Sequence, residues 1–334
     1  MQSTTPSPQE QILSIILGFW QARSLALVTE LHIAEHLADG PLDVAELAKR
    51  TSVNASALFR VLRALESTGI FQQVSPRVFA NTETSESLRK DVAGSQRAWI
   101  LHNLSQGDGV FEAWNEIDHS VRTEEASLHK IYGHDLWELY RRQPESNAHF
   151  NDAMRSVSET MTPTVTAAYD WSSFAVIADI GGGIGTQLTS ILATSPSSRG
   201  ILFDQAHVRS TSMVANDRIE ALGGDFFSSV PGGADAYLLR FILHDWSDSK
   251  ALAILGSVRR AMKSTARLVV IESVIPEGPE FHFGKWLDLQ MLVVVNGRER
   301  TEAEFRDLLA KAGFEVETIV PTKSPLSLLI AKPV

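Results

Sequence analysis

Cysteine is absent from the 334-residue sequence, and acidic residues outnumber basic ones. Without cysteine the chain has no disulfide framework, no thiol nucleophile and no thiolate metal site. A formal net charge of −10 argues against non-specific binding of nucleic acid, because the phosphate backbone attracts basic proteins. The opening residues MQSTTPSPQEQ carry no positive charge, so we expect no secretory signal and a cytoplasmic protein.

Long hydrophobic runs are also scarce. The apolar run from Ile12 to Trp20 is too short to cross a bilayer and predicts a buried helix, so no membrane contact is expected. The helical pattern continues from Gln11 to Leu37 with few charges, and a first helix this apolar often packs against another subunit. The sequence therefore predicts a homodimer joined through its N-terminal region.

Residues 43–87 follow a helix–turn–helix–hairpin pattern, which is typical of a winged helix. Asp43 is a candidate cap of the first helix and Asn54 or Ser56 of the second, and the alternating stretch after them predicts a hairpin. Such a domain either binds DNA through its second helix or serves dimerisation and substrate shielding. The second helix carries Glu66 and the whole chain is acidic, which favours dimerisation over a DNA-binding regulator.

The second half of the chain is organised around the stretch VIADIGGGIGT at 176–186. It predicts a strand covered on both faces, a tight glycine turn and a helix with free N–H groups at its start. The third glycine of a dinucleotide-binding turn is missing, which disfavours a nicotinamide cofactor. Asp179 suits a positively charged ligand and favours S-adenosylmethionine (SAM). Asp204 ends the next apolar run, at a spacing suited to ribose hydroxyls.

Strands and helices alternate from Val176 onward, which indicates an α/β fold with a doubly wound, Rossmann-like parallel sheet. The last two strands are expected to form an antiparallel edge. We expect a winged-helix-like dimerisation domain at 1–100, a helical linker region at 101–170 and a SAM-binding catalytic domain at 171–334. The predicted strands are 176–180, 200–203, 219–223, 235–240, 267–273, 313–319 and 326–331, and the predicted helices are 186–194, 248–263 and 301–312.

His244 lies just beyond a predicted strand, on the side of the sheet where ligands bind. Its ordinary pKa of about 6.5 suits a general base near neutral pH. Glu272 and Glu299 come from later loops on the same rim, and we expect them to hold the imidazole ring and stabilise the imidazolium. No metal site is expected, because the histidine supplies the base.

Six motifs, in this order and spacing, resemble those of class I SAM-dependent O-methyltransferases of the caffeic-acid and small-molecule type: DIGGGIG, GILFD, GGDFF, LHDWSD, VVIES and NGRERTEAEF. The resemblance covers nearly the whole chain, including the winged-helix dimerisation domain. It implies methyl transfer from SAM to a hydroxyl of an aromatic small molecule of secondary metabolism, with S-adenosylhomocysteine as product. The acceptor would be a natural-product phenol, quinone or polyketide, and His244 would be the base.

The resemblance also implies ligand contacts. The cofactor contacts are expected at Asp179, Gly181, Gly183, Asp204, Asp225, Phe226, Arg240 and Trp246, and the acceptor contacts at Phe150, Met154, Met291 and Asn296. Arg240 stands where plant relatives carry lysine, which keeps the charge but not the geometry. The loop before Glu299 lacks two residues that plant relatives have.

One alternative stays within the same fold. Some members of this family have lost methyl transfer and use the site for hydroxylation or pericyclic chemistry. The presence of His244, Glu272 and Glu299 together argues for methyl transfer.

Overall fold

The computed structural model describes residues 6–205 and 216–334. The chain divides into two compact units, the first made of residues 1–112 and 140–157, the second of 113–139 and 158–334. The helical residues 101–170, expected to form a linker region of their own, are thus shared between the two units.

Helices and strands follow one another along the described residues within these bounds. In chain order the helices are α1 (Pro8–Glu30), α2 (Ile33–His36), α3 (Val44–Thr51), α4 (Ala55–Glu66), α5 (Glu83–Glu86), α6 (Arg97–Leu104), α7 (Val110–Asn115), α8 (Ile117–Thr123), α9 (Ser127–Tyr132), α10 (Leu136–Arg142), α11 (Pro144–Ala167), α12 (Thr186–Thr194), α13 (Asp248–Ala261), α14 (Phe283–Val295) and α15 (Glu302–Lys311). The strands are β1 (Leu42–Asp43), β2 (Phe71–Ser75), β3 (Val78–Asn81), β4 (Val176–Ile180), β5 (Arg199–Asp204), β6 (Ile219–Gly223), β7 (Ala236–Arg240), β8 (Arg267–Ile275), β9 (Arg300–Thr301), β10 (Phe314–Pro321) and β11 (Leu326–Pro333).

Helix α1 corrects the expectation that the apolar run from Ile12 to Trp20 is buried. Ser7 and Glu10 form a capping box that starts it, and it runs for 23 residues. By length and composition it is the one helix of the described residues that is apolar enough to cross a membrane. Its large apolar side chains are exposed in the single chain: Ile12, Leu13, Ile15, Ile16, Phe19 and Trp20.

The first unit contains the predicted helix–turn–helix and hairpin. The side chain of Asp43 caps α3 and that of Asn54 caps α4, each by accepting a backbone N–H. Strands β1, β3 and β2 form a three-stranded antiparallel sheet beside these helices. Leu47, Leu62 and Phe79 belong to the core that joins helices to sheet. The local pattern of a winged helix is confirmed.

The second unit is built on a sheet with strand order β10-β11-β8-β7-β4-β5-β6. The five strands from β8 to β6 in this order are parallel to one another, whereas β11 and β10 are antiparallel additions. Ile177 packs into one core cluster and Ala178 and Ile180 into another, so β4 is covered on both faces. The α/β doubly wound fold and its antiparallel edge are confirmed.

The predicted strands agree with the observed ones to within two residues at each end. Helix α14 had no counterpart among the predictions. Because β4, β5, β6 and β7 are parallel, their carboxyl ends meet on one rim, which carries the glycine turn and the loop of His244.

Candidate active site

The glycine turn after β4 is held against the end of β5. Gly181 has a left-handed φ of +73° and donates its N–H to the carbonyl oxygen of Phe203 at 2.7 Å. Gly183, also left-handed, donates to Asp204 Oδ2 at 2.8 Å. A Cβ on Gly182 would lie 2.6 Å from Asp179 Cγ, so no larger residue fits there. The turn thus presents bare backbone next to the Asp204 carboxylate.

Two buried charges lie beneath this turn. Asp179 is 1% exposed, and neither of its carboxylate oxygens makes a well-formed hydrogen bond to the described part of the chain. Burial raises the pKa of Asp179 to about 7, against the opposing charge of Arg240. Arg240 donates to Thr162 Oγ1 at 2.9 Å, and burial lowers the pKa of its guanidinium to about 10. Both Asp179 oxygens and Arg240 Nε and Nη2 lack a hydrogen-bond partner in the described part of the chain, which makes them candidate ligand contacts.

A cavity of about 190 Å³ opens on the same rim of the sheet. Predicted cofactor residues Asp204, Asp225, Phe226 and Trp246 line it. The Asp225 carboxylate accepts hydrogen bonds from Phe227 N and Ser228 Oγ, which fixes the turn after β6. The aromatic rings of this set suit contacts with an aromatic base, and its two carboxylates suit hydrogen bonds to the base and to the hydroxyl groups of a sugar.

Residues that the sequence analysis did not assign to this site also line the cavity: Asp135, Trp137, Gln205, Gly224 and Phe227. The ring centroids of Trp137 and Trp246 lie 6.3 Å apart. Trp137 belongs to the aromatic residues of the helical region, which the sequence connects with an apolar acceptor pocket and not with the cofactor.

The imidazole of His244 is buried on a short 3₁₀ helix at 243–245, next to the ring of Phe241. Its Nδ1 lies 2.6 Å from Glu299 Oε1, and its Nε2 lies 3.4 Å from Asp245 Oδ1. Burial alone would lower the pKa of His244. The negative charges of Glu299, Asp245 and Glu272 outweigh burial and raise that pKa to about 10.

Glu272 plays a different part from the one expected. Its Oε1 accepts the backbone N–H groups of Ile242, Leu243 and His244 at 3.1, 2.6 and 3.2 Å. The expectation that Glu272 holds the imidazole ring is therefore corrected: it holds the backbone of the loop and acts on the ring through its charge alone. Burial raises the pKa of Glu272 to about 7.

The loop that carries His244 has a strained start. Phe241 has a φ of +53°, a left-handed conformation that costs a non-glycine residue about 1–3 kcal/mol. The three hydrogen bonds to Glu272 follow directly after it and stabilise that conformation. The left-handed conformation of Phe241 turns the chain from the end of β7 toward the rim of the sheet, where His244 lies.

Residues 296–299 pack directly against this loop. Arg298 N donates to the carbonyl oxygen of His244 at 2.8 Å, and Asp288 Oδ1 accepts the N–H of Glu299 at 2.9 Å. A Cβ on Gly297 would collide with the carbonyl oxygen of His244. Asn296 ends α14 with a left-handed φ of +59°, and its side chain is exposed.

The residues expected to contact the acceptor lie in both units. Phe150 and Met154 are on α11 within the first unit, where the Phe150 ring stacks on Tyr140 with centroids 4.9 Å apart. Met291 is buried on α14 in the second unit. Asn296, which follows α14, belongs to the same unit. Within residues 6–205 and 216–334, no group of three or more His, Asp or Glu side chains is arranged to hold a metal ion.

Comparison with known proteins gives two family matches. The model of the O-methyltransferase domain matches residues 114–315, and that of the O-methyltransferase dimerisation domain matches residues 13–91. A phenazine O-methyltransferase of Lysobacter antibioticus is 39% identical over 97% of this chain and 96% of its own length. A mitomycin biosynthesis 6-O-methyltransferase of Streptomyces lavendulae is 37% identical, over 94% and 91%.

A solved structure is similar over nearly the full length. It is an O-methyltransferase from neocarzinostatin biosynthesis in complex with SAM and 2-hydroxy-5-methyl naphthoic acid. The TM-score is 0.80 at 32% identity, covering 94% of this chain and 96% of that one.

Proposed function

Because the chain belongs to the O-methyltransferase family in which a dimerisation domain precedes the catalytic domain, we propose that it transfers the methyl group of SAM to a hydroxyl of an aromatic natural product. The observation that carries this proposal is the buried imidazole of His244, bound at Nδ1 by Glu299. A carboxylate at Nδ1 fixes the proton there and leaves Nε2 as the proton acceptor.

The cofactor site is proposed to hold SAM through groups that have no hydrogen-bond partner among residues 6–205 and 216–334. The buried Asp179 carboxylate suits an ammonium group, and the free Nε and Nη2 positions of Arg240 suit a carboxylate. Asp204 is proposed to bind the ribose hydroxyls, and Asp225 the adenine. SAM, when bound, supplies an electrophilic methyl group on a sulfonium.

Four other residues complete the proposed cofactor site. Gly181 and Gly183 give the methionine part close access to backbone. Phe226 and Trp246, which line the cavity on the rim, cover the adenine.

The proton step requires one bond to form and one to break. His244 Nε2 takes the proton of the acceptor hydroxyl, which leaves an oxyanion ready to attack. The negative charges of Glu299, Glu272 and Asp245 stabilise the resulting imidazolium. These charges raise the pKa of His244 to about 10. The complex of imidazolium and acceptor oxyanion therefore also forms when protonated His244 binds an acceptor that has already lost its proton. A base of this strength matches a phenol rather than an aliphatic alcohol.

The acceptor is proposed to be a flat aromatic phenol, quinone or polyketide. Relatives that act on phenazines and in mitomycin biosynthesis support this class. Phe150, Met154 and Met291 are proposed as apolar acceptor contacts, and Asn296 as a polar one. The intact His244–Glu299 pair favours methyl transfer over hydroxylation or pericyclic chemistry.

The assembly is proposed to be a homodimer joined through the first unit. The exposed apolar face of α1, from Leu13 to Trp20, falls within the match to the dimerisation domain, residues 13–91. We propose that the protein is cytoplasmic. We also propose that it binds neither nucleic acid nor membrane, which its acidic net charge supports.

The function is tested with purified protein, SAM and a panel of aromatic acceptors bearing free hydroxyls. We expect S-adenosylhomocysteine to form together with a product heavier by one methyl group. A hydroxylated or rearranged product without S-adenosylhomocysteine would instead support the alternative chemistry of the same fold.

A further inference from the structure

Arg300 is a buried arginine that contacts both sides of the loop bearing His244. The residue is 1% exposed. Its Nη1 donates to the carbonyl oxygen of Leu243 at 3.1 Å, and its Nη2 donates to that of Trp246 at 3.2 Å. The guanidinium is anchored by Asp248 Oδ1, which lies 2.8 Å from Nη2 and 3.1 Å from Nε. One side chain therefore holds the carbonyl groups that bracket His244.

The chain segment of Arg300 also supplies the contacts to His244 itself. Its neighbour Glu299 binds the imidazole Nδ1, and Arg298 N binds the carbonyl oxygen of His244. Glu272 holds the same loop from its N–H side. The segment 298–300 thus fixes both the position of the His244 loop and the position of the Glu299 carboxylate that binds the imidazole.

We propose that Arg300 is a positioning residue for methyl transfer, which fixes the 243–246 loop at the distance at which Glu299 binds the imidazole. This inference rests on the proposed role of His244 as the base. Among the described residues, the hydrogen bonds of Arg300 reach neither the imidazole nor an expected ligand contact other than the Trp246 backbone, so it acts through the loop.

The contact pattern requires an arginine. Its planar fork presents N–H groups toward Leu243, Trp246 and Asp248 at once, whereas a lysine ammonium is a single point of charge on a flexible stem. Lysine would keep the charge near Asp248 and lose the simultaneous hold on the two carbonyls. The two effects can therefore be separated by Arg300→Lys and Arg300→Met.

Arg259 offers a matched control. It also donates to two main-chain oxygens, that of Gly313 before β10 at 3.2 Å and that of the last residue, Val334, at 3.0 Å. Arg259→Met therefore removes a half-buried arginine with two main-chain contacts, without touching the His244 loop. A purely structural role of Arg300 predicts that the two methionine variants behave alike.

The experiment compares full-length wild type, Arg300→Lys, Arg300→Met and Arg259→Met at a temperature where each is folded. The measurements are kcat, KM for the acceptor, SAM affinity, the pH profile and the urea midpoint. We expect both Arg300 variants to lose roughly 10- to 100-fold in kcat, because small misplacements of a catalytic group cost this much, with SAM affinity within a few-fold. Arg259→Met should lower the urea midpoint and keep the wild-type kcat and pH profile.

A second readout needs no acceptor. In ¹⁵N-labelled wild type, the His244 Nδ1–H bound to Glu299 should give a low-field proton resonance, which we expect to shift or vanish in Arg300→Lys. Wild-type kcat and an unshifted resonance in the Arg300 variants would overturn the inference, as would equal losses of kcat in Arg259→Met. Failure of wild type to methylate any acceptor would count against the proposed function and leave the resonance test intact. If Arg300→Met does not fold, Arg300→Lys and Asp248→Asn decide by the same criteria.

Discussion

His244 Nδ1 and Glu299 Oε1 lie 2.6 Å apart, although 55 residues separate them in the chain. The contact joins the loop after β7 to the segment before β9, and both partners are buried. A carboxylate in this place determines which ring nitrogen carries the proton and adds negative charge where an imidazolium forms.

Glu299→Gln removes that charge and keeps the shape of the side chain. We expect kcat to fall roughly 10- to 100-fold, because the imidazolium loses its main stabilising charge. The pKa of His244 should also fall from about 10, so the rise of kcat with pH should move to lower pH. Steady-state kinetics between pH 6 and 10 measure both changes. An equal loss of SAM affinity would speak against an orienting role.

His244→Ala removes the proposed base. We expect kcat to drop by about 10²–10⁴-fold, the usual contribution of a positioned general base, while SAM affinity by calorimetry stays within a few-fold of wild type. His119→Ala, at a half-buried histidine of α8 whose ring contacts Thr123, serves as the control and should keep full activity. Activity of His244→Ala within a few-fold of wild type would refute the base.

Two substitutions of Glu272 distinguish its hydrogen bonds to the loop from the effect of its charge. Glu272→Ala leaves three buried N–H groups without an acceptor, at a cost of about 1–3 kcal/mol for each, so the urea midpoint should fall sharply. Glu272→Gln keeps one acceptor oxygen and should fold. A native pKa raised from 4.5 to about 7 means that ionised Glu272 destabilises the fold as pH rises through that window.

Glu272→Gln removes this ionisation, so its free energy of unfolding relative to wild type should increase between pH 5 and pH 8. Urea titrations at the two pH values measure it. A difference that stays constant with pH would show that Glu272 keeps the same charge in the folded and unfolded chain.

Much of the fold follows from the sequence for local reasons. Strands β4, β5 and β7 are short, mainly apolar runs, and Asp43 and Asn54 each cap a helix by accepting a backbone N–H. Helix α14 escaped prediction because it is apolar on most faces and ends in three valines, a pattern shared with buried strands. The exposure of the apolar face of α1 depends on other molecules, which a single sequence does not describe.

The sequence predicts which loops of the site share one rim of the sheet. It does not predict which side chains of these loops contact each other. The ends of parallel strands place His244, Glu272 and Glu299 on the same side. Which carboxylate meets the ring depends on the left-handed turn at Phe241, which brings backbone N–H groups, rather than the imidazole, to Glu272. Phenylalanine carries no sequence signal for that conformation.

We expect Asp179 to make the affinity for SAM dependent on pH. Its pKa is raised to about 7 in the ligand-free protein, so below that pH a cationic ligand must displace a proton. We expect the affinity for SAM to weaken by up to about tenfold per pH unit below pH 7, with one proton released on binding. Calorimetry from pH 5.5 to 7 measures both. Asp179→Asn should bind more weakly and lose this dependence; a flat wild-type affinity would contradict the proposed ammonium contact.

The exposed face of α1 should determine the oligomeric state. Ile15 and Phe19, 71% and 57% exposed, gain little from the fold of a single chain, so Ile15→Glu with Phe19→Glu should leave the circular dichroism unchanged. Buried carboxylates would disrupt an apolar interface, and light scattering should report a shift from dimer to monomer. Gln21→Glu adds charge to the same helix and should stay dimeric. A monomeric wild type that floats with phosphatidylcholine vesicles would instead assign this face to a membrane.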